Sequence, residues 1–133
     1  MSRASAYVDS SALLKLVIRE AESDTLSAYL AGRALVSSRV AVIEVRRAAG
    51  RRLGEPWTGS ADVFEQMAVI ELDGRISERA AAVSPTVLRT LDAIHLATAL
   101  ELGSDLDSFV TYDDRLAEAA RAAGMTVVAP GTA

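Results

Sequence analysis

Short apolar runs alternate with helical stretches along this whole chain, and that alternation leaves few architectures open. Ala4 to Asp9 is an apolar run that ends in an acid and then Ser10-Ser11. It reads as a buried strand followed by a helix start. Leu13, Leu14, Leu16, Val17 and Ile18 give one helical face. A second helix is expected from Glu22 to Ala31, stopped by Gly32. Ala34 to Ser37 reads as the next strand, and Ser38 as the cap of a long helix to Leu53, ended by Gly54 and Pro56. A helix from Thr58 to Met67, a strand from Val69 to Leu72 and a helix from Arg75 to Val83 follow. After the break at Ser84-Pro85-Thr86, Thr90 caps an apolar helix, Leu91 to Leu102. Ser108 to Thr111 reads as a strand. Asp113 or Asp114 caps a helix to Ala123, and Met125 to Val128 is the last strand. Such alternation implies a parallel sheet covered on both faces. The expectation is an α/β fold: one domain over residues 1–133, with a central, mostly parallel five-stranded sheet.

Composition narrows the function classes. Half of the 133 residues are apolar, enough for one buried core. There is no cysteine, which excludes disulfides, thiolate metal sites and a cysteine nucleophile. The N-terminal residues are too mixed for a signal peptide, and no run approaches the roughly 18 apolar residues that span a bilayer. A soluble, cytoplasmic protein that uses no membrane is expected. The net charge of −4 argues against holding nucleic acid by charge alone. The basic residues are nonetheless grouped: Arg33, Arg39, Arg46, Arg47, Arg51 and Arg52 share one short stretch. Arginine suits phosphate recognition. A GC-rich genome explains the preference for arginine over lysine, but not the grouping.

Four separated acids carry the chemistry, and each has an ordinary reading beside a functional one. Asp9 ends the first strand, where an acid often caps the following helix. Glu44 has Val40, Ala41 and Ala48 among its helical neighbours, so it lies near the buried stripe. A buried carboxylate needs a partner, either Arg47 one turn on or a metal and its water. Asp92 stands in the first turn of a helix that is apolar almost all round. It either complements the helix dipole or points into a cleft. Asp113 caps the helix after the fourth strand, or is freed for a metal if Asp114 caps instead. His95, the single histidine, is a general base or a hydrogen-bonded structural residue. Ser10 and Thr111 are hydroxyls placed to orient carboxylates or waters. Trp57 and Phe64 read as packing residues and Asp73 as a helix cap.

Acids gathered at one end of a parallel sheet repel each other, and a divalent cation relieves that repulsion. Carboxylates without cysteine select hard ions, Mg²⁺ or Mn²⁺ rather than Zn²⁺. Mg²⁺ keeps several waters and takes substrate phosphate oxygens, which suits phosphodiester hydrolysis without a nucleophilic side chain.

Four stretches carry a family resemblance: Val8-Asp9-Ser10-Ser11-Ala12-Leu13, Ile43-Glu44-Val45, Leu91-Asp92-Ala93-Ile94-His95-Leu96-Ala97 and Thr111-Tyr112-Asp113-Asp114-Arg115-Leu116. In this order, over nearly the whole chain, they resemble the PIN-domain family and its VapC-type toxin ribonucleases. The resemblance implies a single PIN domain and a metal-dependent endoribonuclease of a type II toxin–antitoxin system. Asp9 and Asp92 would be the principal Mg²⁺ ligands, Asp113 would complete the site, and Glu44 would bind metal-held water or act as base. It also implies an RNA substrate, a homodimer, and a VapB-type antitoxin joined in a heterotetramer or larger assembly.

Two competing folds fail on residues. A receiver domain needs paired acids after the first strand and a late lysine, but Ser10 follows Asp9 and the only lysine is Lys15. A dinucleotide-binding domain needs a Gly-x-Gly-x-x-Gly run that the chain lacks. A catalytically silent PIN-like module that binds RNA or protein remains the alternative function.

Overall fold

The computed structural model describes residues 4–57 and 62–132. Five strands, β1 (Ser5–Val8), β2 (Ala34–Ser38), β3 (Met67–Ile70), β4 (Ser108–Val110) and β5 (Val127–Val128), form one sheet in the order β3-β2-β1-β4-β5. Every pairing is parallel. Seven helices make the crossovers among the described residues: α1 (Ser10–Val17), α2 (Ser23–Leu30), α3 (Arg39–Leu53), α4 (Asp62–Gln66), α5 (Gly74–Ala82), α6 (Thr90–Leu102) and α7 (Asp114–Ala122). No described helix is long and apolar enough to cross a membrane.

The strand period of two explains the two cores. Ala6 and Val8 of β1 face a cluster with Leu13, Leu26, Val42 and Val45. Tyr7 between them faces the opposite cluster, with Leu96, Phe109 and Leu116. A central strand buried on both faces is what a parallel sheet requires, and it is why β1 has no polar alternation. Each large side chain so buried contributes roughly 1.5–3 kcal/mol.

The chain runs outward from β1 to β2 and β3, then returns across the sheet to β4 and β5. Its helices change faces with that reversal: α1, α2 and α3 pack over one core, α6 and α7 over the other. β1 and β4 therefore flank the topological switch point, where the carboxyl ends of adjacent strands open a crevice.

Most element boundaries match the sequence pattern, but β5 begins at Val127 rather than Met125, and β3 and the cap of α6 differ as well. The expected start at Thr58 lies outside the described residues, and within them the helix is Asp62–Gln66. β3 starts two residues early because Met67, not Val69, buries against the sheet and pairs with Leu35. Leu72 is correspondingly exposed. Thr90 does not cap α6. Arg89 holds the cap position and makes no side-chain cap bond, so Thr90 is the first helical residue. By contrast, Ser38 caps α3 through the Val40 amide and Asp73 caps α5 through the Ile76 amide.

Candidate active site

The parallel register between β1 and β4 pairs Val8 with Val110. The next residues on each strand, Asp9 and Thr111, therefore emerge side by side. Thr111 Oγ1 donates to Asp9 Oδ2 at 2.6 Å. Oδ1 of Asp9 accepts from Ser11 Oγ at 2.7 Å and from the Ala12 amide at 3.0 Å, which makes Asp9 the N-cap of α1. Both readings of Asp9 thus hold at once: it caps a helix and lines the crevice. Burial pushes its carboxyl above the ordinary aspartate range, while His95 and the three donors work against that shift.

Asp113 follows β4 and is itself the N-cap of α7, accepting from the Leu116 amide at 3.0 Å. Asp114 does not take over the capping. It is exposed in the first turn of α7. Asp113 keeps its place in the crevice all the same, and its own amide donates to Thr111 Oγ1 at 3.1 Å.

Asp92 stands in the first turn of α6 and is partly buried. Its carboxyl is raised above the ordinary range, first by burial and then by the charge of Asp113, with a smaller push from Asp9. Arg89 and His95 oppose the rise. Three of the four acids therefore sit at helix N-termini, where free amides and the positive dipole end each contribute about 0.3–1 kcal/mol towards holding negative charge.

Glu44 reaches the same place from α3. Its partner is neither Arg47 nor an unmet charge. Oε1 lies 2.8 Å from His95 Nε2. His95 is fully buried, and its Nδ1 lies 2.7 Å from the Tyr7 hydroxyl. The ring is thus a hydrogen-bonded residue with both nitrogens engaged.

One cavity of about 320 Å³ collects these groups. Asp9, Ser10, Ser11, Glu44, Asp92 and Asp113 line it, with Arg89, Thr90 and Leu91 at the start of α6. Among the described residues no group of three or more His, Cys, Asp or Glu side chains stands close enough together to hold a metal ion by itself. An open set of carboxylates fits Mg²⁺ or Mn²⁺, which bind through one or two protein carboxylates and keep waters. It does not fit a structural Zn²⁺ site. Burial, then the charge of Asp113 and to a lesser degree Asp9, raises the Asp92 carboxyl, and a divalent cation between these acids would relieve the repulsion.

Sequence reasoning named Ser10, which lines the cavity, and passed over Ser11 and Tyr7. Ser11, not Ser10, holds Asp9, and it also accepts from the Tyr112 amide at 2.9 Å. The adjacent hydroxyls Ser10 and Ser11 carry no local signal that separates them; the β4 end does so in space. The arginine grouping disperses as well. Arg39 pairs with Glu71 at 2.6 Å, Arg52 with Glu20 at 2.9 Å, and Arg33 stacks on Tyr29. Arg46, Arg47 and Arg51 line a separate groove beside Trp57. Trp57 and Phe64 pack edge to face, as packing residues should.

Comparison with known proteins identifies the family and the fold. The PIN domain family model matches residues 6–122. The chain is 44% identical to ribonuclease VapC46 of Mycobacterium tuberculosis over 128 residues, covering 96% of this chain and 98% of that protein. It is 42% identical to ribonuclease VapC35 of the same species over 132 residues, with 96% and 98% covered. Among solved structures, M. tuberculosis VapC20, a Sarcin-Ricin loop cleaving toxin, superposes with a TM-score of 0.73 at 19% identity, covering 94% of this chain and 99% of that one. A toxin–antitoxin complex from Klebsiella pneumoniae superposes with a TM-score of 0.63 at 24% identity, covering 81% and 86%. At such identities the two structures speak for the fold.

Proposed function

The chain belongs to the PIN-domain family, with VapC ribonucleases as relatives over nearly its full length, and from that premise we propose that it is a Mg²⁺-dependent endoribonuclease, the toxin of a type II toxin–antitoxin pair. The observation that carries this reading is the convergence of Asp9, Glu44, Asp92 and Asp113 on one cavity at the switch point of the sheet.

Asp9, Asp92 and Asp113 would hold Mg²⁺ or Mn²⁺. When bound, the ion would supply charge neutralisation and would lower the pKa of a water so that it can give up a proton as it attacks a phosphodiester. Ser11 and Thr111 keep the Asp9 carboxylate in one orientation. Glu44 orients the attacking water and takes its proton on the carboxylate. The first amides of α6, which no side chain caps, border the cavity and add positive potential towards an RNA phosphate. We assign a VapB-type antitoxin as partner, a homodimer that assembles with it into a heterotetramer or larger complex, and the cytoplasm as the place of action.

The test is cleavage of RNA by wild type, Asp9→Ala and Asp92→Ala with and without Mg²⁺. Wild type should cleave only with the metal, and both variants should lose the activity. A wild type that binds RNA indifferently to Mg²⁺ and never cleaves it would establish the silent binding module instead.

A further inference from the structure

His95 is the only histidine in the chain and is completely buried in α6. Its two nitrogens join β1 to α3: Nδ1 meets the Tyr7 hydroxyl at 2.7 Å and Nε2 meets Glu44 Oε1 at 2.8 Å. The Tyr7 and His95 rings meet edge to face, 5.8 Å between centroids, and Tyr7 stacks on Phe109 at 5.1 Å. The relay is therefore walled in by the core on its inner side and ends at the cavity on its outer side.

The proton order follows from the chemistry of the three groups. A tyrosine phenol keeps its proton at neutral pH, and an ionised carboxylate can only accept. With the Glu44 carboxylate at Nε2, a neutral ring donates there, and its Nδ1 is left to accept from the Tyr7 O–H. A neutral imidazole that accepts at one nitrogen carries its proton on the other. Nε2–H therefore donates to Glu44 Oε1, and Oε2 is the oxygen left for the cavity that Glu44 lines.

We infer that His95, held in its tautomer by Tyr7, is a positioning residue that fixes the Glu44 carboxylate and commits one of its oxygens, so that the other meets the attacking water. This rests on the nuclease reading above, in which Glu44 handles that water. A glutamate side chain free on a helix samples several rotamers. One held at Oε1 by a buried ring does not. His95 itself does not touch RNA and is not a catalytic residue.

Two measurements test the inference. In ¹⁵N-labelled protein the single histidine gives one pair of ring-nitrogen signals. At neutral pH the Nε2–H tautomer is expected, with Nδ1 unprotonated, and Glu44→Gln should shift the Nε2 signal. An Nδ1–H tautomer, or an Nε2 signal indifferent to Glu44→Gln, overturns the link. The second measurement is single-turnover RNA cleavage. His95→Gln and Tyr7→Phe should lower the rate about 10- to 100-fold, the usual range for a group that orients a ligand, with apparent RNA affinity little changed. In a Glu44→Ala background neither should lower the residual rate further. Equal losses in both backgrounds overturn the positioning role. Tyr7→Phe removes one oxygen at unchanged shape, so it decides the matter if His95→Gln does not fold: an unchanged rate overturns the inference. A wild type that cleaves no RNA overturns the nuclease reading and, with it, this role.

Discussion

Thr111 Oγ1 donates to Asp9 Oδ2 at 2.6 Å, joining residues 102 positions apart in the chain. The same oxygen accepts the Asp113 amide. One buried hydroxyl thus ties two of the four acids together across the β1–β4 seam. It can do so only because the parallel register sets Val8 opposite Val110.

Replacing Thr111 by Val keeps the shape of the side chain and removes that oxygen. Asp9 loses a donor and the Asp113 amide loses an acceptor. The expected cost is about 1–3 kcal/mol of stability, the range for leaving a buried polar partner unmet. Urea denaturation measures it, and a midpoint equal to that of wild type would contradict the role given to Thr111. RNA cleavage should fall as well.

Asp113 has two jobs that different substitutions separate. Asn caps helices as well as Asp does, so Asp113→Asn should keep stability within about 0.5 kcal/mol, whereas Asp113→Ala should lose about 1 kcal/mol. Both should lose Mg²⁺-dependent cleavage. Asp114→Asn should change neither. If Asp113→Asn cleaves RNA as wild type does and Asp114→Asn does not, the fourth acid has been assigned to the wrong position.

Asp92 is held against the charges of Asp113 and Asp9. Asp92→Asn removes that repulsion, so the metal-free variant should unfold at a higher temperature than wild type while being inactive. The gain stays below about 1 kcal/mol because the site is open to solvent, which screens it. Calorimetry in EDTA gives the sign, and a lower melting temperature would count against mutual repulsion at this site.

Stability should depend on pH in a direction set by the same acids. Asp9 is raised by burial, and Asp92 by burial and then Asp113. Their folded values exceed the unfolded value of about 3.9, so between the two the native state binds more protons. Unfolding free energy therefore falls as pH rises through that window and stays lower above it. Glu20, Asp24 and Glu71 have the opposite sign. Arg52, Arg19 and Arg39 hold them low, and their contribution is lost as pH drops below the ordinary carboxylate range. Without metal, stability should peak at mildly acidic pH. Saturating Mg²⁺ should raise stability most at neutral pH, because it binds the ionised native state. Urea midpoints across pH, in EDTA and in Mg²⁺, check both limbs. A metal-free curve flat from neutral to mildly acidic pH would refute the raised values.

Local pattern alone determined the alternating elements, the caps at Ser38 and Asp73, and the four acids as candidates. These depend on residues within a few positions of one another, which sequence displays directly. The acids at strand ends were legible for the same reason: a strand followed by an acid and a helix start is a short-range signal. Where the pattern misled, a distant contact had decided the outcome. β3 slipped by two residues because Met67 found Leu35. Ser11 was chosen over Ser10 because Thr111 and Tyr112 arrive beside it from β4. The arginines dispersed because Glu71 and Glu20 lie across the fold from Arg39 and Arg52. Glu44 was recognised as a buried acid in need of a partner, but its partner is 51 positions away on another helix. Sequence thus specified which groups were available and which local structure each began. Only packing of helices on a parallel sheet decided which of them meet, because contacts across such a sheet are set by register and crossover, and neither leaves a trace in neighbouring residues.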